Sequence, residues 1–252
     1  MNIISKLSSI YSEYKIFPLN TFHQTTPLKV FQAMFPENYY KKDMDIFLME
    51  HDYNKIRRGA DLPWWGENYF KNGKDKKTNA MIVSQDSLSG DSGSVAFYAH
   101  IMQELKNEED YKNFYSKLHK EYQKFGYGNW SKIREMIINW GLDFDNIYIT
   151  DASKVYTERS SDRFDVEKSR ELLKREIGFC NPDLLILLGW KPLDLLAKEY
   201  KYSDVVDKCE MLNIDGINTV VCPFPVGNGR SQKNFNQRMD NSKKLIRQLI
   251  QE

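Results

Sequence analysis

The chain reads as an α/β protein, a three-layer α/β/α sandwich around a four-stranded, mostly parallel central sheet. Three observations predict this. From residue 80 onward, short apolar runs alternate with amphipathic stretches, in the order strand then helix, four times over. The runs have the β-branched and apolar character of strands buried in a parallel sheet. Each run also ends in polar, Gly or Pro residues, and an open α/β sheet places its ligands there, beyond the carboxyl ends of its strands.

The elements follow in order. Residues 1–77 are irregular, aromatic and charged, with Pro18, Pro27, Pro36 and Pro63 interrupting any long helix, and they are expected to form a helical or irregular extension packed on an α/β core at 78–252. The whole is read as one domain, because 252 residues suffice for a single sizeable core. Arg57 to Gly66 is expected either to pack over the edge of the first strand or to touch a ligand. Met81-Ile82-Val83 forms the first strand and breaks at Ser84-Gln85-Asp86-Ser87. Ile101 to Phe125 is a charged amphipathic helix. Ser131 caps a second helix, whose Ile133, Met136, Ile137 and Trp140 follow helical spacing and which Gly141 ends. Asn146 to Thr150 is the second strand, with Asp151 directly after it. Asp165 caps a helix to about Gly178 with Val166, Leu172, Leu173 and Ile177 on its apolar side, and Leu184 to Leu188 is a strand ending in Gly189. Pro192 opens the next helix, Thr219 to Cys222 is the last strand, and Phe235, Met239, Ser242, Ile246 and Leu249 mark the inward face of a C-terminal helix.

A formal net charge of +1 excludes nucleic-acid binding by bulk positive charge, so any such binding rests on local patches, of which Lys71 to Lys77 and Arg230 to Arg247 are the candidates. Aromatic residues make up 13% of the chain, and Trp64, Trp65 and Trp130 fall in polar segments, which suits either a surface that stacks on something flat or amphipathic helices that bury them. Cys180, Cys209 and Cys222 are widely spaced and match neither a zinc site nor a four-cysteine iron–sulfur cluster. With no apolar run approaching 18 residues, the chain is expected to be a cytoplasmic protein, monomeric, without a cofactor or metal and not bound to membrane. His23, His51, His100 and His119 form no motif.

Ser84-Gln85-Asp86-Ser87-Leu88, followed by Val95-Ala96-Phe97, resembles the water-activating motif of the uracil-DNA glycosylase superfamily, a strand followed by Gly-Gln-Asp-Pro-Tyr, a loop and Leu-Ala-Phe. The Leu-rich strand ending in Gly189 and the closing Pro223-Phe224-Pro225 resemble later pieces of the same family, so the likeness covers roughly residues 78 to 250. It implies a base-flipping DNA glycosylase with a uracil-DNA glycosylase-like fold. It also implies that Gln85 and Asp86 belong to the catalytic turn, Asp86 activating water, and that Phe97 stacks on the flipped base. Residue by residue, plainer readings stand beside these: Asp86 as a helix cap or Asx-turn, Phe97 as a core side chain.

Three departures narrow the implied substrate. Where the uracil enzymes carry an Asn, Asp151 stands, and an ionised Asp only accepts hydrogen bonds; it suits the exocyclic amine of cytosine and opposes the carbonyl of uracil. Asp151 as a cap for the turn before Ala152-Ser153 is the alternative. Leu88, flanked by Ser87 and Ser89, replaces the Tyr that closes the pocket against a base 5-substituent. Together these imply a 5-modified cytosine, and the family includes members that remove glucosylated hydroxymethylcytosine from phage DNA. Phe224 stands where the family His donates to the leaving base, leaving that role to backbone N–H groups, Asn228 or Arg230. Arg230, Ser231 and Lys233 are the candidate DNA contacts. Repair of uracil or another damaged base, a non-catalytic DNA-binding module, and an unrelated α/β enzyme acting on free nucleotides are the competing functions.

Overall fold

The computed structural model describes residues 64–66, 68–71, 77–85, 109, 127–153, 166–225 and 231–251. The chain folds as two compact units, one comprising 1–62, 86–127 and 153–176 and the other 63–85, 128–152 and 177–252. All the described strands belong to the second. They are β1 (Trp64–Trp65), β2 (Ala80–Ser84), β3 (Ile147–Asp151), β4 (Leu184–Leu188), β5 (Leu212–Ile214) and β6 (Ile217–Cys222). The described helices are α1 (Tyr127–Trp140), α2 (Val166–Cys180), α3 (Trp190–Leu196), α4 (Tyr202–Lys208) and α5 (Phe235–Leu249).

The fold is α/β with a mostly parallel sheet of order β1-β3-β2-β4-β6-β5. β3, β2, β4 and β6 run parallel, and the central register pairs Ile82 with both Ile149 and Ile186. These are the four predicted strands. Every residue of β2, β3 and β4 is buried, as expected of strands covered on both faces. Removing a side chain here, as in Ile186→Ala, carries the usual core cost of about 2–5 kcal/mol.

The sheet has six strands rather than four, because an antiparallel strand is added at each edge. β1 pairs with β3, Trp64 opposite Ile149 and Trp65 opposite Tyr148. Trp65 stacks on Tyr148 with ring centroids 6.1 Å apart, and Tyr69 and Phe70 close around the same Tyr148 ring at 5.5 and 6.2 Å. Trp65 is thus spent on packing, and Trp64 to Gly66, the described part of the segment 57–66, lie along the second predicted strand rather than the first, residues 57–63 falling outside the described residues. At the other edge β5 and β6 form a two-residue hairpin, Ile214 opposite Ile217. Its turn residues Asp215 and Gly216 both take positive φ, 50° and 87°, as a type I′ turn requires. Asn213 braces the turn by accepting from the Gly216 N–H at 3.0 Å.

Boundaries shift modestly from the sequence expectations. α1 starts at Tyr127, ahead of Ser131, and ends at Gly141 as expected, with the Leu142 N–H donating to the Ile137 carbonyl at 3.2 Å. Val166 is 39% exposed, so the apolar side of α2 begins at Leu172. The helix opened near Pro192 stops at Leu196, and α4 follows as a separate element. α3 packs against β4, and α4 and α5 against β6. The helix expected at 101–125 lies outside the described residues apart from Glu109, which is helical. No described helix is long and apolar enough to cross a membrane.

Candidate functional site

The strand order contains a topological switch point. The chain leaves β2 for β3 on one side, returns across β2 to β4, and then leaves β4 for β6 on the other side. The order of connection therefore reverses between the neighbouring strands β2 and β4, the position at which open α/β sheets place their ligands. In spatial order the carboxyl edge of the sheet carries Asp151 from β3, Ser84 and Gln85 from β2, Gly189 and Trp190 from β4, and Pro223 to Pro225 after β6.

Asp151 lies inside β3 instead of following it, paired in register with Ser84 of β2. The pairing runs one residue further, the Ala152 N–H donating to the Ser84 carbonyl at 2.9 Å. This clamps the two strand ends side by side. Asp151 is only 3% exposed and Ser84 4%, so both belong to the floor of the edge rather than its rim. Enclosing a carboxylate at this depth is costly unless it meets donors.

Gln85 is half-buried and lies across the end of β4. A Cβ at Gly189 would come within 2.6 Å of the Gln85 Cδ and 2.8 Å of its Oε1. Gly189 also has φ 86° and ψ −172°, a conformation open almost only to glycine. Its N–H donates to the Cys222 carbonyl at 2.8 Å, which ties the end of β4 to the end of β6. The backbone therefore requires glycine, and any Cβ would also push aside the carboxamide lying over it.

After β6, Phe224 is half-buried between two buried prolines, Pro223 and Pro225, at the same edge. Ser231 and Lys233 are exposed. Asp86, Ser87, Leu88, Phe97, Asn228 and Arg230 lie outside the described residues. The structure thus brings Gln85, Asp151 and the Phe224 segment to one sheet edge.

Two features at this edge escaped the sequence reading. One is Trp190, first residue of α3 and 52% exposed, directly after Gly189. The other is the polar brace where the closing loop re-enters the fold. Gln232 Oε1 accepts from Tyr202 Oη at 3.3 Å and from Arg238 Nη1 at 3.1 Å, and Arg238 Nε donates to Asp207 at 2.7 Å. Burial pushes the Tyr202 hydroxyl up to about 12, with the nearby Arg238 charge working against it. Burial likewise pushes the Cys222 thiol up to about 12, partly offset by a hydrogen bond with Ser242. Two members of the expected basic tail have structural duties as well, Arg238 in this brace and Arg247, whose Nε donates to the Asn139 carbonyl at 2.9 Å.

The opposite, amino edge of the sheet has a cavity of about 840 Å³ lined by Lys77, Thr78, Leu142, Asp143 and Asp183. Its polar groups are engaged in holding the fold: Lys77 Nζ bonds Asp143 at 2.6 Å, and Asp183 Oδ2 accepts from the Asn79 N–H at 2.9 Å. Among the described residues no group of His, Cys, Asp and Glu is placed to hold a metal ion. No protein-family model matches the chain, and no curated protein matches its sequence.

Proposed function

We propose that the chain is a monofunctional DNA glycosylase of the uracil-DNA glycosylase type, built as a three-layer α/β/α sandwich, that flips a 5-modified cytosine from DNA and hydrolyses its N-glycosidic bond. The observation that carries this reading is the register pair Ser84 and Asp151, which sets the start of the Gln85-Asp86 turn beside a buried acid at the carboxyl edge of the sheet. The resemblance of Ser84 to Leu88, Val95 to Phe97 and Pro223 to Pro225 supplies the chemistry.

In this reading the bond breaks with positive charge developing on the sugar. The Asp86 carboxylate stabilises that cation and orients the attacking water. Asp151, on the floor, accepts from the exocyclic amine of a cytosine, and Phe97 stacks on the base. Leu88 and Ser87 leave the wall beside base carbon 5 open to a substituent as bulky as a glucosylated hydroxymethyl group. The leaving base receives hydrogen bonds from Asn228 or from backbone N–H groups of the closing loop in place of the family His. Arg230, Ser231 and Lys233 hold the phosphates.

Incubating the protein with DNAs that carry unmodified, methylated, hydroxymethylated and glucosylated cytosine, or uracil, and counting abasic sites tests the proposal. Abasic sites confined to a modified cytosine are expected, and their absence from every DNA rejects catalysis. One observation favours a second reading, a DNA-binding module without catalysis: Phe224 occupies the place of the family's His donor. Tight binding to the same DNAs without abasic sites would establish it.

A further inference from the structure

Trp190 is the most exposed of the large apolar side chains described, at 52%, ahead of Ile138, Met211, Val166 and Tyr200. Of these residues it alone stands at the carboxyl end of a core strand, one residue beyond β4 with Gly189 between. Its place is fixed by what precedes it: Gly189, with φ 86°, is locked to β6 through the Cys222 carbonyl and covered by the Gln85 carboxamide. The α3 helix that Trp190 begins is anchored by buried Pro192, Leu193, Leu195 and Leu196. A large flat side chain is thus mounted at the carboxyl edge of the sheet, beside the switch point, with half its surface in water.

We infer that Trp190 is a stacking platform for a nucleobase of the bound strand, a neighbour of the extruded base, which rests on the glycosylase reading. Asp151, 3% exposed, lies below the sheet edge and is the residue the glycosylase reading assigns to the extruded base; the half-exposed indole suits an unpaired base lying outside it. A net charge of +1 gives little bulk attraction to DNA, so a stacking contact, tolerant of sequence because every base has a flat face, supplies affinity that charge does not.

The test measures binding of a dye-labelled single-stranded oligonucleotide by anisotropy, with thermal melts as a check on folding. Trp190→Ala is expected to weaken binding on the order of ten- to a hundred-fold, Trp190→Phe to keep most of it, and Trp190→Leu to behave like Ala, because a Leu side chain has no face to stack on. Wild-type affinity in Trp190→Ala, or rescue by Leu equal to that by Phe, overturns the platform. Abasic-site formation is read separately. Excision by a Trp190→Ala protein of unchanged affinity sinks the platform and leaves the glycosylase standing; Trp190-dependent binding with no excision by the wild type sinks the glycosylase and leaves a nucleobase-binding edge.

Discussion

Asp151 and Gly189 are the residues on which the site's geometry turns. Asp151 sits at 3% exposure beside Ser84, so a change in its hydrogen-bonding character is felt at full strength with little water to compensate. Asp151→Asn replaces an acceptor by an amide that also donates, and it is expected to shift preference from a cytosine-like toward a uracil-like base by about ten-fold or more, as a mispaired buried polar group costs ~1–3 kcal/mol. Excision rates on paired substrates measure this, and an unchanged ratio removes Asp151 from recognition. At Gly189 a Cβ would meet the Gln85 side chain at 2.6 Å on a backbone with φ 86°. Gly189→Ala is expected to destabilise the fold by about 1–3 kcal/mol, mainly through backbone strain, because the carboxamide can swing aside. A urea midpoint indistinguishable from wild type would contradict the assignment of strain.

Among the elements, the brace around the closing loop makes its own prediction. Tyr202 is raised from 10.0 to about 12 by burial, and Cys222 from 9.0 to about 12. In both cases the fold favours the neutral form. Their contribution is therefore complete below the ordinary value of each group and is lost as pH rises through about 12. Tyr202→Phe, which cannot ionise, is expected to flatten the fall in urea midpoint between pH 10 and 12; an identical pH dependence would show that ionisation of Tyr202 plays no part. The elements that could be read in the sequence are those with a strong local signal. Leu184 to Leu188 is a continuous apolar run and its limits match the observed strand. β1 has two residues, too few for any period, and its pairing is set by Trp65 meeting Tyr148 far along the chain. β5 was legible in principle, since Asp215-Gly216 between apolar residues is a strong hairpin signal. α4 offers only Val205 and Val206 as buried apolar residues, so periodicity does not reveal it. At the site, Gln85 and Asp151 were legible because each apolar run breaks at them. The exposure of Trp190 and the closure of Gln232 on Tyr202 and Arg238 depend on packing between distant segments, which no local pattern encodes.

For the whole molecule, a formal net charge of +1 means that the DNA affinity of the proposed function has to come from placed contacts instead of a general field. The sheet supplies the placement. Four parallel strands in the order β3-β2-β4-β6 bring their carboxyl ends to one edge, with the topological switch falling between β2 and β4, beside Gln85 and Gly189. Asp86, next in the chain after Gln85, is the residue on which the proposed chemistry rests. The direct test is the single-turnover rate of abasic-site formation on DNA carrying glucosylated hydroxymethylcytosine, for the wild type and for Asp86→Asn. The glycosylase account predicts abasic sites with the wild type and a loss of about a hundred-fold or more with Asp86→Asn at unchanged DNA affinity. Equal rates for the two proteins would contradict it.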